Sequence, residues 1–300
     1  MSKLRTNERA DASLFALLLP YALAFSVFIL LPIFLAIGLS FTYFNVVQPP
    51  RSVGFLNYIT LLTQDEIFLK FVLPNTFKYA FLVGPGGYIL AFVFSWLLAQ
   101  IQKGPRNILA LAIYAPSMVG PVLITVVWRT IFSGNEAGII NSLLLRLELI
   151  NAPIQFLLDP AYLLNVVIFV ALWSSMGIGF LAMLAGVLNV DKTLYEAAYI
   201  DGVSNRFQEI IHITIPSMRP QMLFGAVMSI VNTFNIGWIG VALAGVAPTP
   251  GYSAQLIVNH IEDYGFGRYE MGYAAMVSVA LLLMVIFFSR VSYILFGNKE

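Results

Sequence analysis

DKTLYEAAYIDGVSNRFQEIIHITIPSMRP, residues 191–220, carries seven charged residues and lies between two runs, 160–190 and 220–261, that hold no Asp, Glu, Lys or Arg at all. A helix that crosses a bilayer needs roughly 20 apolar residues, because the hydrocarbon core is about 30 Å thick. The quoted segment therefore reads as a water-facing loop between two membrane spans. Working outward, four more charge-free stretches have or approach that length: 14–44, 79–102, 107–128 and 271–289. The run 220–261 is too long for one crossing, and Pro248-Thr249-Pro250-Gly251 places the end of its helix near Gly245. Lys3, Arg5 and Arg9 precede the first stretch as in a signal peptide. That stretch is far longer than a signal's apolar core of about 7–15 residues, so it reads as a retained span. The fold class is an all-α integral membrane protein with six transmembrane helices.

Composition agrees. Hydrophobic residues make up 59 % and charged residues 10 % of the 300 residues, with mean hydropathy +0.85. Soluble domains carry about 25 % charged residues, so most of this surface faces lipid. Lys and Arg are scattered, which excludes a phosphate-tracking nucleic-acid surface. The chain has no cysteine, hence no disulfide framework or thiolate metal site. With the N-terminus inside, ten Lys/Arg fall on short cytoplasmic segments and six (Arg51, Lys70, Lys78, Arg129, Arg146, Arg268) on longer outer loops. That bias sets a multi-pass protein of the plasma or inner membrane with both termini cytoplasmic. Segments 54–66 and 139–149 have amphipathic helical spacing and read as interfacial helices in the outer loops. The spans hold no charge in this reading, which disfavours ion-coupled transport. No GxxxxGK[ST] phosphate loop, HExxH or GxSxG is present. The expectation is a chain with no catalytic residues, no metal site and no cofactor of its own.

The loop itself reads as two short helices joined by a turn. Thr193 and Glu196 have capping-box spacing. Gly202 is placed to end the first helix in the left-handed conformation. Ser204 is a candidate cap for the second, and Pro216 and Pro220 limit its extent. Ala197 and Ala198 leave a small-residue face open to close approach.

This loop resembles the EAA loop of permease subunits in binding-protein-dependent ABC importers, whose pattern is EAA, three residues, Gly, nine residues, then I-x-L-P. Here Glu196-Ala197-Ala198 is followed by three residues, Gly202, and then ten residues before Ile213-Thr214-Ile215-Pro216. The resemblance extends over the chain. Asn57-Tyr58, Asn75-Thr76 and Gly138-Ile139-Ile140-Asn141 are similar to the carbohydrate-uptake branch, which includes maltose, glycerol-phosphate and multiple-sugar permeases. It implies a type I ABC importer permease fold: a cytoplasmic N-terminus 1–13, a first transmembrane helix 14–44, and a core 45–300 with five spans and the coupling loop 191–220. It also implies the partners, namely a second homologous permease, two ATPase subunits that bind ATP and Mg, and an extracytoplasmic solute-binding protein. Glu196, Ala197, Ala198, Asp201 and Gly202 would then dock on an ATPase, with Asp201 bracing the turn.

For the solute, Ser229, Asn232 and Asn235 recur at three-residue steps in span five, with Trp238 following. A bare amide in lipid is costly, so this face is expected to line the bundle or a cavity, either as interhelical glue or as a sugar site. Trp173 and Ser175 of span four complete the candidate substrate-binding set. Tyr114, Ser117 and Trp128 read as packing, and Gly84-Pro85-Gly86-Gly87 as a kink or close-packing point. The reading is a sugar or oligosaccharide permease driven by partner ATPases. A permease for a non-sugar solute and an ATP-independent channel or facilitator stay open as alternatives.

Overall fold

The computed structural model describes residues 17–297, except the side chain of Phe296. The segment 1–13, the start of the stretch 14–44, and Lys3, Arg5, Arg9 and Lys299 lie outside the described residues. The chain divides into two compact units, Met1–Gln64 with Ile261–Ala280, and Asp65–His260 with Leu281–Glu300.

In the first unit, helix α1 (Leu17–Ser40) is long and apolar enough to span. It stops short of residue 44 because Thr42–Tyr43 (β1) pairs antiparallel with Arg51–Ser52 (β2). The amphipathic segment forms α2 (Leu56–Thr63). Asn57 Nδ2 donates to the carbonyls of Ser40 and Thr42 at 2.9 and 3.0 Å, and the hydroxyls of Tyr58 and Ser40 lie 2.8 Å apart. These bonds satisfy carbonyls that a helix end leaves open.

In the second unit, α3 (Phe68–Ala99) begins eleven residues before the charge-free stretch 79–102. Asp65 starts it by accepting from the Phe68 N–H at 2.9 Å, and Lys70 and Lys78 fall inside the helix. The third stretch is not a straight crossing. It forms α4 (Lys103–Met118) and α5 (Pro121–Ile131), bent by 97°. Pro121 lacks an N–H and drives Gly120 into extended backbone, so the helix cannot run through. The second amphipathic segment forms helix α6 (Ile139–Arg146). The fourth span is α7 (Pro160–Ser174) and α8 (Ile178–Leu188), bent by 45°. The loop supplies α9 (Lys192–Ile200) and α10 (Arg206–Glu209), which continues in wider turns to Ser217. The fifth span is α11 (Arg219–Asn235) and α12 (Trp238–Ala244), bent by 46°. It ends on Gly245 at φ +76°, the stop that the following prolines indicate. Helices α13 (Ile257–Glu262) and α14 (Met271–Phe296) follow.

Three unbroken helices are long and apolar enough to cross, and counting each of the three bent pairs as one span gives up to six candidate crossings. Two apolar clusters hold the second unit. One joins Tyr79, Trp128, Leu163, Val167 and Leu243, and the other joins Ala91, Leu98, Phe180, Met183 and Met218. Helices α8 and α11 touch backbone to backbone. A Cβ added to Gly179 would sit 3.4 Å from Gly225 Cα, the small-residue contact that lets helices pack closely in lipid.

Candidate functional site: the charged loop and the broken fifth span

Asp191 begins the loop helix. Its backbone is extended and its Oδ1 accepts from the Thr193 N–H at 3.0 Å. That N–H, and then the Thr193 hydroxyl, hold the Asp191 carboxyl below its ordinary range. This corrects the capping box expected of Thr193 and Glu196: an ionised carboxylate two residues before Thr193 is the stronger acceptor. Glu196 is therefore not needed as a cap. It is exposed and makes no side-chain hydrogen bond among the described residues.

The helix ends as Gly202 requires. Gly202 has φ +95°, and the Val203 N–H donates to the Ala198 carbonyl at 2.9 Å, closing the turn. Asp201 makes no side-chain hydrogen bond among the described residues, so the main chain does the bracing. Asn205, not Ser204, caps the second helix, accepting from the Gln208 N–H at 2.8 Å, while Gln208 Oε1 accepts from the Ser204 N–H at 3.2 Å. The Tyr195 hydroxyl lies 3.1 Å from that of fully buried Thr214, so α9 is fastened to the segment that leads into α11. Ala197 is exposed and Ala198 half-buried. Tyr199, Ile200 and Phe207 are 76, 86 and 71 % exposed, an apolar group with no cover among the described residues.

The six solute candidates do not form one cluster. Ser229 donates to the Gly84 carbonyl at 2.9 Å and lines an apolar groove of 510 Å³ with Thr233 and Phe234. Ser175 donates to the Leu172 carbonyl at 2.7 Å beside Gly87. Gly84 and Gly87 are thus close-packing points in an unbroken helix. Trp238 lies beyond the break in span five and packs on the first apolar cluster. Trp173 is 40 % exposed and meets buried Trp128 edge to face at 5.2 Å. Asn232 and Asn235 are exposed, without side-chain hydrogen bonds among the described residues.

The break beside Asn235 has its own fastener, which sequence reasoning missed. Breaking the helix frees the Gly237 carbonyl, and buried Asn259 donates to it at 2.9 Å. Asn259 Oδ1 in turn accepts from the Leu256 N–H at 3.0 Å. Irregular backbone at membrane depth persists where protein satisfies it in this way. Asn75 donates to the Tyr252 carbonyl at 2.8 Å, Thr76 accepts from the Ile257 N–H at 3.1 Å, and Asn141 ties Ser133 to Ile154. Asp65 and His260, buried together, pair at 2.9 Å. Among the described residues no three His, Cys, Asp or Glu group as a metal site would.

Residues 84–297 match the family described as binding-protein-dependent transport system inner membrane component. The chain is 30 % identical to the arabinooligosaccharides transport system permease protein AraP of Bacillus subtilis (strain 168), over 93 % of this chain and 87 % of that one. It is 27 % identical to the lactose transport system permease protein LacF of Rhizobium radiobacter, over 87 and 86 % of the two chains. A crystal structure of a bacterial ABC transporter that imports the acidic polysaccharide alginate has a chain 26 % identical, with TM-score 0.77, covering 97 % of this chain and 98 % of that one. The same fold, at 23 % identity and TM-score 0.79, recurs in the alginate transporter in complex with its pentasaccharide-bound periplasmic protein. A family match over most of the chain, on a helical membrane fold broken and capped as described, makes this protein a member of the binding-protein-dependent transport system inner membrane component family.

Proposed function

We propose that this chain forms half of the pore of an ATP-driven importer for a sugar or oligosaccharide delivered by an external solute-binding protein. A second, related permease supplies the other half. Two ATPase subunits, which carry the ATP and Mg, sit at the cytoplasmic face and drive the pore through loop 191–220. Both termini and this loop are cytoplasmic, with the division into 1–13, 14–44 and 45–300 given by the sequence. The observation that carries the reading is the exposed, doubly capped helix α9. Glu196, Ala197, Tyr199 and Ile200 have no cover among the described residues, and Gly202 ends the helix where a side chain would obstruct close approach. A facilitator that needs no motor has no use for such a surface. The cargoes named for the relatives, arabino-oligosaccharides and lactose, support a sugar.

In this reading, closure of the ATPase dimer displaces α9. The Tyr195–Thr214 contact and the continuous α10 segment carry that displacement into α11. Asn232 and Asn235, at the far end of α11 beside the break, are the amides that contact solute hydroxyls. Asn232→Ala and Asn235→Ala each remove one such bond, about 1 kcal/mol or a roughly fivefold loss of uptake. Assembly should be unchanged. Uptake of radiolabelled sugar at equal membrane abundance checks this, and wild-type rates in both variants would remove the amides from the solute path. The chain has no cysteine, so a single cysteine at Asn205 tests orientation. Impermeant thiol reagent should label it from the cytoplasmic side and not from outside.

A further inference from the structure

We infer that one face of α7, the first half of span four, together with Lys78 of α3, is a contact track for a saccharide that carries an anionic group. The inference rests on the importer reading above and narrows its cargo. Tyr162, Asn165, Phe169 and Trp173 fall on one face of α7 at helical spacing. Tyr162, Phe169 and Trp173 are 41, 52 and 40 % exposed, whereas Val167 and Val170 on other faces of the same helix are fully buried.

Lys78 joins this stripe at Asn165, near its Tyr162 end. It lies ten residues, about 15 Å, along α3 from Phe68. Its Nζ donates to Asn165 Oδ1 at 3.0 Å, a neutral partner, and no carboxylate pairs with it among the described residues. A lysine that snorkels extends its amine toward the membrane surface. Here the amine is bonded to the Asn165 amide within the exposed stripe. In hydrocarbon both the cation and the amide are costly, so a face that carries them belongs to a wet path. The rings are also fixed in place. Buried Trp128 meets Phe169 and Trp173 edge to face, at 5.5 and 5.2 Å. Such braced rings offer apolar platforms for sugar faces. Asn165 to Trp173 spans about 12 Å of helix, longer than one sugar ring. The occupant is therefore an oligosaccharide whose carboxylate or phosphate meets Lys78.

The test uses the full permease–ATPase assembly in lipid nanodiscs without binding protein, so that delivery plays no part. Calorimetric titration compares trigalacturonate with maltotriose, and glucose 6-phosphate with glucose. The expected result is about tenfold tighter binding of the charged member in at least one pair. The pair that shows it tells carboxylate from phosphate. Lys78→Gln should abolish the preference, Lys78→Arg should keep it, and Trp173→Leu should weaken all saccharides alike. Equal affinities in the wild type, a preference that survives Lys78→Gln, or no binding at all would overturn the inference. A wild-type assembly that retains its ATPases while showing no charge preference leaves the importer reading intact and removes this one alone.

Discussion

Gly202→Asp is expected to abolish solute uptake while the permease stays in the membrane at normal abundance. Gly202 sits at φ +95°, where a Cβ costs about 1–2 kcal/mol. Among the described residues the added carbon would meet nothing within 4 Å, so the strain is local and the fold survives it. The damage falls on the turn, which the Val203–Ala198 bond closes, and on the surface offered to the ATPase. A carboxylate there holds the two surfaces apart. Glu196→Lys, which leaves the helix caps untouched, should weaken docking by reversing the charge of an exposed side chain with no partner among the described residues. Uptake per unit of membrane-inserted protein is the measurement. Normal uptake in Gly202→Asp would contradict the docking role.

Gly237→Val is expected to destabilise the protein itself, in contrast to Gly202→Asp. A Cβ at Gly237 would sit 2.9 Å from Val258 Cβ and 3.1 Å from Asn259 Nδ2. Overpacking of this kind costs typically about 1–3 kcal/mol. Displacing Asn259 also leaves the Gly237 carbonyl and the Leu256 N–H without partners, at about 1–3 kcal/mol for each buried group. Thermal unfolding of the detergent-solubilised protein should fall by roughly 5–10 °C, and uptake should fall with it. Asn259→Ala should reproduce much of the loss without the steric clash. An unchanged melting temperature in both variants would mean that the break in span five does not depend on this contact.

The contrast between these two glycines also marks what the sequence could disclose. Gly202 and Gly245 were legible because a helix stop is a local device: a glycine after an apolar-periodic run, then polar residues or proline. Gly237 signals a weak point in span five, but its fastener, Asn259, lies 22 residues further on. Likewise Asn75 meets Tyr252 across 177 positions, beyond any local rule. Asn57, Asn75 and Asn141, family marks in the sequence, are fasteners of the segments between helices in the structure. Lys78 was assigned to an outer loop because the start of a span was placed at the last charge, whereas Asp65 starts the helix earlier. The caps at Thr193 and Ser204 missed by one or two residues because stronger acceptors stand beside them, at Asp191 and Asn205. The single solute face failed for a geometric reason. Three-residue steps on a helix drift by about 60° each, which places Asn235 well around the axis from Ser229. Ser229 therefore reaches the Gly84 carbonyl, while the two asparagines remain exposed.

The most direct test of the central claim is purification of the wild-type permease with its ATPase subunits, followed by ATP hydrolysis with and without solute-loaded binding protein. The account predicts that the ATPases co-purify and that loaded binding protein stimulates hydrolysis. Both should be lost in Gly202→Asp and weakened in Glu196→Lys at equal permease abundance. Unchanged association and unchanged stimulation in both variants would contradict loop 191–220 as the element that couples ATP to transport.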